Sequence, residues 1–209
     1  MKLILLILSL VSPANSEFKL QNGDLIFQED CSAKTDNTIK EVTSSIGDYR
    51  FIHVGIVYID EKGETYVIEA TRPKVAVTLL NEYLYPKDSR ECFPRSVVGR
   101  LKNEYQSLIP VAIDEAMKLV GKDYDDGFIL DNDKYYCSEL IYDILLKANK
   151  GKAVFPLNVM TFKSPETGEI TKGWTEYFAK YGLHVPEGEL GINPGAMSRS
   201  EVIDIIHYY

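Results

Sequence analysis

Apolar and polar positions alternate through the first half of the chain and recur at helical spacing through the second. Ile52 to Asp60 and Glu64 to Thr71 read as two strands, and the short connection Glu61-Lys62-Gly63 predicts a hairpin of antiparallel neighbours. Leu25-Ile26-Phe27 is a short apolar strand behind the turn Leu20-Gln21-Asn22-Gly23-Asp24. Val75 to Leu79 reads as a further strand, and Arg95 to Leu101 fits a returning one. Between them, Glu82 to Pro94 suits a loop or short helix; Ser32 to Gly47 is polar, with a weak helical pattern from Asp36 to Ser45. In the second half, Ser107 is placed to cap a helix with Pro110 in its first turn, carried on Ile109, Ala112, Ile113, Ala116, Met117 and Val120 and ended by Gly121. A second helix is expected from near Tyr135 to about Asn149, and a short aromatic-rich one from Trp174 to Tyr181. Val202 to Tyr209 fits either helix or strand. Strands first, with helices interleaved or after, predict an α+β fold with a mainly antiparallel sheet packed against helices.

The N-terminus changes the picture of where the chain works. Leu3 to Val11 is apolar apart from Ser9, follows Met1-Lys2 and precedes Ala14-Asn15-Ser16, the pattern of a secretory signal peptide. We therefore expect residues 1–16 to be a signal peptide and 17–209 a single exported domain; a buried N-terminal strand or helix is the other reading. The run is shorter than the roughly 20 residues a bilayer-spanning helix needs, and no later transmembrane segment is expected. A formal charge of −8 on 209 residues argues against nucleic acid or an anionic membrane as partner, and would mildly attract a cationic substrate. Three cysteines in an exported chain leave at least one unpaired within it. Cys31 and Cys92 sit in polar, loop-like surroundings where a disulfide between them is left open.

Cys137 sits differently. It precedes Leu140 by three residues and Ile141 by four, so it shares the apolar stripe that continues through Ile144, Leu145 and Ala148. It also falls in the first turn of its helix, where unpaired N–H groups favour an anion such as a thiolate. A small buried hydrophobe is the alternative reading. His53 opens the strand His53-Val54-Gly55-Ile56-Val57, sharing a face with Gly55 and Val57, so that Gly55 is expected to leave space beside the imidazole. Glu69 interrupts the apolar run Tyr66-Val67-Ile68-Glu69-Ala70 on the neighbouring strand, and a buried carboxylate requires a partner. Either it orients His53, which then takes the thiol proton, or it faces solvent from an edge.

Together with Gly23-Asp24-Leu25-Ile26-Phe27, His53-Val54-Gly55-Ile56, Ile68-Glu69-Ala70, Tyr124-Asp125-xx-Phe128 and Tyr136-Cys137-Ser138-Glu139-Leu140, the chain resembles the circularly permuted papain-like hydrolases of the NlpC superfamily, in particular the YiiX/YebB-like group. The resemblance implies a permuted papain-like fold with a barrel-like antiparallel sheet and the cysteine on a helix N-terminus. It also implies Cys137 as nucleophile, His53 as base, Glu69 as orienting partner and, by likeness to unpermuted relatives, Tyr124 as an oxyanion donor; packing of Tyr124 against the sheet is the alternative. The segment Asn193-Pro194-Gly195-Ala196-Met197-Ser198-Arg199-Ser200 is similar to the family's closing stretch. Where the family commonly has a glycine-containing turn after the glutamate, this chain has Thr71-Arg72-Pro73-Lys74-Val75. The function so implied is hydrolysis of an amide or ester by a Cys-His-Glu mechanism, with no metal or organic cofactor, at the bacterial cell envelope, periplasmic or secreted. A cell-wall peptide is the first substrate expected. A lipid amide or N-acyl amino acid on the same scaffold is the alternative, and a ligand-binding module without catalysis is the rival from another class. Asp125 and Asp126 are read as loop acids, Asp131-Asn132-Asp133 lacks the glycine and distant glutamate of a calcium loop, and Ser138 lies about 100° round the helix from Cys137.

Overall fold

The structure is a computed structural model, and it describes residues 18–29, 44–86 and 93–209. The expected signal peptide, most of the expected Asp36–Ser45 helix, and both Cys31 and Cys92 lie outside the described residues. In chain order the elements are β1 (Leu25–Glu29), β2 (Phe51–Ile59), β3 (Thr65–Ala70), β4 (Val75–Leu79), α1 (Leu80–Leu84) and β5 (Ser96–Leu101). They continue as α2 (Ile109–Leu119), α3 (Cys137–Ala148), β6 (Asn158–Val159), α4 (Lys172–Tyr181), β7 (Leu190–Gly191), α5 (Pro194–Ser198) and β8 (Ile203–Tyr208). The result is a mixed α+β fold built on one large antiparallel sheet.

Six strands form that sheet in the order β4-β3-β2-β1-β5-β8, every neighbouring pair antiparallel. The β2–β3 hairpin closes as its connection predicts. Gly63 takes φ +83°, where a side chain is strained, and Asp60 Oδ1 accepts from the backbone N–H groups of Lys62 and Glu64 at 2.9 Å. Alternation divides the strand residues between two layers. Leu25, Phe27, Val54, Ile56, Ile68 and Val97 face the main core, shared with the buried stripes of α2 and α3. Ile26, Val57, Val67 and Val98 face a smaller core closed by Tyr83 and Leu84 of α1. Burying each such side chain stabilises the fold by about 1.5–3 kcal/mol.

Two expectations shift at the helix ends. Ser107 does not cap α2: a 3₁₀ turn over Asn103–Leu108 runs straight into it, and Leu108 holds the cap position without a side-chain bond. Val202–Tyr209 resolves as strand, because β5 offers an open edge that β8 pairs along its length. α3 starts at Cys137 with a capping box. Tyr136 is its N-cap, and the Glu139 side chain accepts from the Tyr136 N–H at 3.3 Å. A third, aromatic cluster of Met160, Phe162, Trp174 and Phe178 ties α4 to the segment after β6.

Candidate active site

The strand register brings the polar residues of β2, β3 and β4 onto one face. Val57 stands opposite Val67, which sets Gly55 facing Glu69 and His53 diagonal to it; Val67 in turn stands opposite Thr78 of β4. Gly55 leaves no open space, contrary to expectation. A Cβ there would lie 2.3 Å from Val67 Cγ1 and 3.3 Å from Glu69 Cβ, so it is the close approach of β3 that requires glycine. Glu69 is buried on an interior strand, not on an edge. Its Oε2 lies 2.6 Å from His53 Nε2, and its Oε1 accepts from the Thr78 hydroxyl at 2.6 Å. Both carboxylate oxygens are therefore engaged.

Cys137 reaches the same histidine from α3. The thiol is buried, lies 3.8 Å from the Ile52 carbonyl oxygen, and interacts with the His53 side chain. With Nε2 taken by the carboxylate, Nδ1 is the ring nitrogen left for the sulfur. Burial alone would favour the neutral imidazole. The hydrogen bonds and charges of Cys137 and Glu69 overcome it and push the His53 pKa up to about 10. Burial likewise opposes the Glu69 charge, but the hydrogen bond and charge of His53, with the Thr78 hydroxyl, hold that carboxyl below its usual range. Tyr83, from α1, packs its ring 5.7 Å from the imidazole and donates its hydroxyl to the Ile26 carbonyl at 2.8 Å. Thr78 and Tyr83 escaped the sequence reading. For Thr78 the signal was present: it is the only hydroxyl in the apolar strand Val75–Leu79 and has the parity of Glu69's face.

Tyr124 lines a cavity with Cys137. Its ring lies under the Arg72 guanidinium at 4.4 Å, and Arg72 is held in turn by Asp126 at 2.7 Å and the Tyr177 hydroxyl at 2.6 Å. The departure Thr71-Arg72-Pro73 thus supplies the group that stacks on Tyr124. Burial, then the nearby Cys137 charge, raises the Tyr124 pKa well above its ordinary value and keeps the phenol a neutral donor. Asp125 accepts from the N–H groups of Gly127 and Ile129 and shapes the loop, so both aspartates serve the protein itself. Ser138 points away, donating to the Ile192 carbonyl at 3.0 Å.

The cavity beside Cys137 has a volume of about 280 Å³, and Phe128, Met160, Phe162 and Trp174 form its apolar wall. That is near the lower end of small-molecule sites, about 300–1,000 Å³. Asn158 Oδ1 and Trp174 Nε1 belong to residues of this wall and are buried without a hydrogen-bond partner. Arg199 lines it as well. None of residues 158–162 drew notice in the sequence, since a cavity wall made from an irregular segment leaves no periodic signal.

A sequence profile of permuted papain-like amidase enzymes, the YaeF/YiiX, C92 family, matches residues 19–207. The uncharacterized protein YiiX of Escherichia coli strain K12 is 30% identical over 200 residues, spanning 94% of this chain and 91% of that protein. A crystal structure described as metalloprotein yiiX from Escherichia coli O157:H7 superposes with a TM-score of 0.72 at 21% identity, covering 92% of this chain and 99% of the other. Among the described residues of this chain, no group of three or more His, Cys, Asp or Glu side chains is arranged to hold a metal ion. Of these side chains, Glu69 is bonded to His53, and Cys137 acts on the same imidazole.

Proposed function

The chain belongs to the permuted papain-like amidases of the YaeF/YiiX, C92 family, and from that premise we propose that it is an exported cysteine amidase with Cys137 as nucleophile, His53 as acid and base, Glu69 as orienting group and Tyr124 as oxyanion donor. One observation carries the reading. A single imidazole is held by a carboxylate at one nitrogen, 2.6 Å away, and interacts with a buried helix-terminal thiol beside a cavity large enough for a small molecule.

In the reaction, the Cys137 sulfur adds to the amide carbonyl carbon while the Tyr124 hydroxyl and the Cys137 backbone N–H receive the developing oxyanion. The carbon–nitrogen bond then breaks, and the His53 imidazolium gives its proton to the departing amine. Water, losing a proton to His53, attacks the thioester; a carboxylic acid leaves and the thiol is restored. No step calls on a metal. Export rests on the pattern of residues 1–16, and cleavage after Ser16 would give an isolated protein beginning at Glu17 on N-terminal sequencing.

The test is thiol reactivity. At mildly acidic pH an alkylating probe should label Cys137 in the folded protein far faster than in the denatured chain, with the labelled peptide identified by mass. His53→Ala should remove that advantage. Equal rates in folded and denatured wild type would leave a ligand-binding module on this scaffold as the better reading. Incubating wild type and Cys137→Ala with muropeptides and with acylated amino acids then separates wall from acyl substrates.

A further inference from the structure

The cavity wall carries a single formal charge among the described residues, and it is positive. Arg199 lines the cavity with Cys137, and no described aspartate or glutamate does, although acids outnumber bases by 31 to 23 along the chain. The other described arginines are engaged. Arg72 is bound to Asp126, Arg95 to Glu29 and Arg100 to Asp24, while Arg50 holds the Tyr49 carbonyl. The Arg199 guanidinium is exposed and has no hydrogen bond or ion pair among the described residues.

Its backbone is nonetheless firmly seated. Asn193 caps α5 by accepting from the Ala196 N–H at 2.8 Å, and the Ser198 hydroxyl both donates to Gly195 O and receives the Ile46 N–H. Gly195 packs so closely on the Ser44 carbonyl that a Cβ would meet it at 2.4 Å. A fixed anchor, an unpaired guanidinium and a wall free of acids form a receptor for an anion. The apolar residues Phe128, Met160, Phe162 and Trp174 of the same cavity form one for a short hydrocarbon group.

Resting on the amidase reading, we propose that the substrate is an amide joining a short apolar acyl group to an amine that carries an anionic oxyacid, with Arg199 recognising the oxyacid and the aromatic wall taking the acyl group. A planar guanidinium matches a carboxylate or a phosphate equally well, so the test must separate the two. This reverses the expectation that overall acidity would favour a cationic substrate: the charge lining the cavity differs in sign from the charge of the whole chain.

Trp174 is the only tryptophan of the chain and lines the cavity, so its fluorescence reports on this site. Full-length Cys137→Ala protein would be titrated with N-hexanoyl-alanine, N-hexanoyl-alaninamide and N-hexanoyl-ethanolamine phosphate. We expect saturable binding of one or both anionic compounds, with the neutral amide about tenfold weaker and the preference shrinking as salt rises. Arg199→Gln should erase the preference and Arg199→Lys restore part of it, with unfolding temperatures unchanged. Equal affinity for all three compounds, a preference that survives Arg199→Gln, or no binding would overturn the proposal. Wild-type turnover of the same compounds distinguishes the two readings. Selective binding without hydrolysis keeps the anion site and sinks the amidase, whereas hydrolysis without preference does the reverse.

Discussion

The Glu69 carboxylate lies on a strand with neighbours on both sides, so its ionisation depends on the two donors that reach it, His53 and Thr78. A hydrogen bond to a charged group contributes about 1.5–3 kcal/mol, and Thr78→Val should lower kcat/KM at neutral pH by roughly tenfold. The sign of the pH effect follows from the depressed Glu69 pKa. The contribution of an ionised Glu69 is present above its unfolded range and lost as pH falls through the lowered value. Removing one of the groups that lower it moves that loss, and the acid limb of the rate profile, to higher pH. An unmoved acid limb would mean Thr78 only fills space. His53 behaves in the opposite sense. Its pKa is raised from 6.5 to about 10, so the stability its charge confers is complete below about 6.5 and fades as pH climbs towards 10. Cys137→Ala removes one of the two partners that raise it, and the His53 ring-proton resonance should then titrate at lower pH in an NMR series. A midpoint still near 10 would assign the whole effect to Glu69.

At the scale of elements, β2 and β3 approach each other more closely at Gly55 than a side chain permits, and that contact governs where Glu69 stands. Gly55→Ala would thrust a methyl to 2.3 Å from a branched, poorly adjustable Val67. Overpacking of this kind costs about 1–3 kcal/mol, measurable as a lower urea midpoint, and we expect Cys137 labelling to slow as Glu69 is displaced from His53. Normal labelling in a destabilised Gly55→Ala protein would separate packing from chemistry at this position. The same hairpin explains why part of the site is legible in the sequence. Its connection is local, Gly63 advertises the turn, and alternation gives the faces, so turn chemistry and strand periodicity suffice to pair His53 with Glu69. The stripe of α3 is equally plain and carries Cys137 with it. Tyr83 and Arg199 are not legible as neighbours of the site, because each comes from a separate element and meets the others only through helix docking, whereas Thr78 leaves one sign, a lone hydroxyl in an apolar strand, that gains meaning only with the strand pairing. Gly55 stands out in the sequence for the wrong reason: alternation places it beside His53, but only the register with β3 reveals what fills the space.

For the molecule as a whole, the decisive contact joins its two halves: the imidazole and carboxylate rise from a sheet begun early in the chain, while the sulfur arrives on a helix that has no covalent reason to stay there. What holds α3 in place is burial of Leu140, Ile141, Ile144 and Leu145 in the main core, all shielded from solvent. Stability and thiol reactivity should therefore be coupled through this face and uncoupled on the other. Leu140→Ala leaves a cavity one turn from Cys137 and should cost about 2–5 kcal/mol, which at this chain length lowers the unfolding temperature by about 4–20 °C. Because it also loosens the first turn of α3 against β2, Cys137 alkylation should slow well below the unfolding transition. Lys147→Ala, which removes only an exposed i,i+4 pair with Asp143, should change stability by about 0.5 kcal/mol or less and leave labelling untouched. Were Leu140→Ala to lose stability while its folded fraction labelled at the wild-type rate, the thiol would be positioned by its own turn, through the Tyr136 cap and the His53 bond, rather than by the docking of the helix.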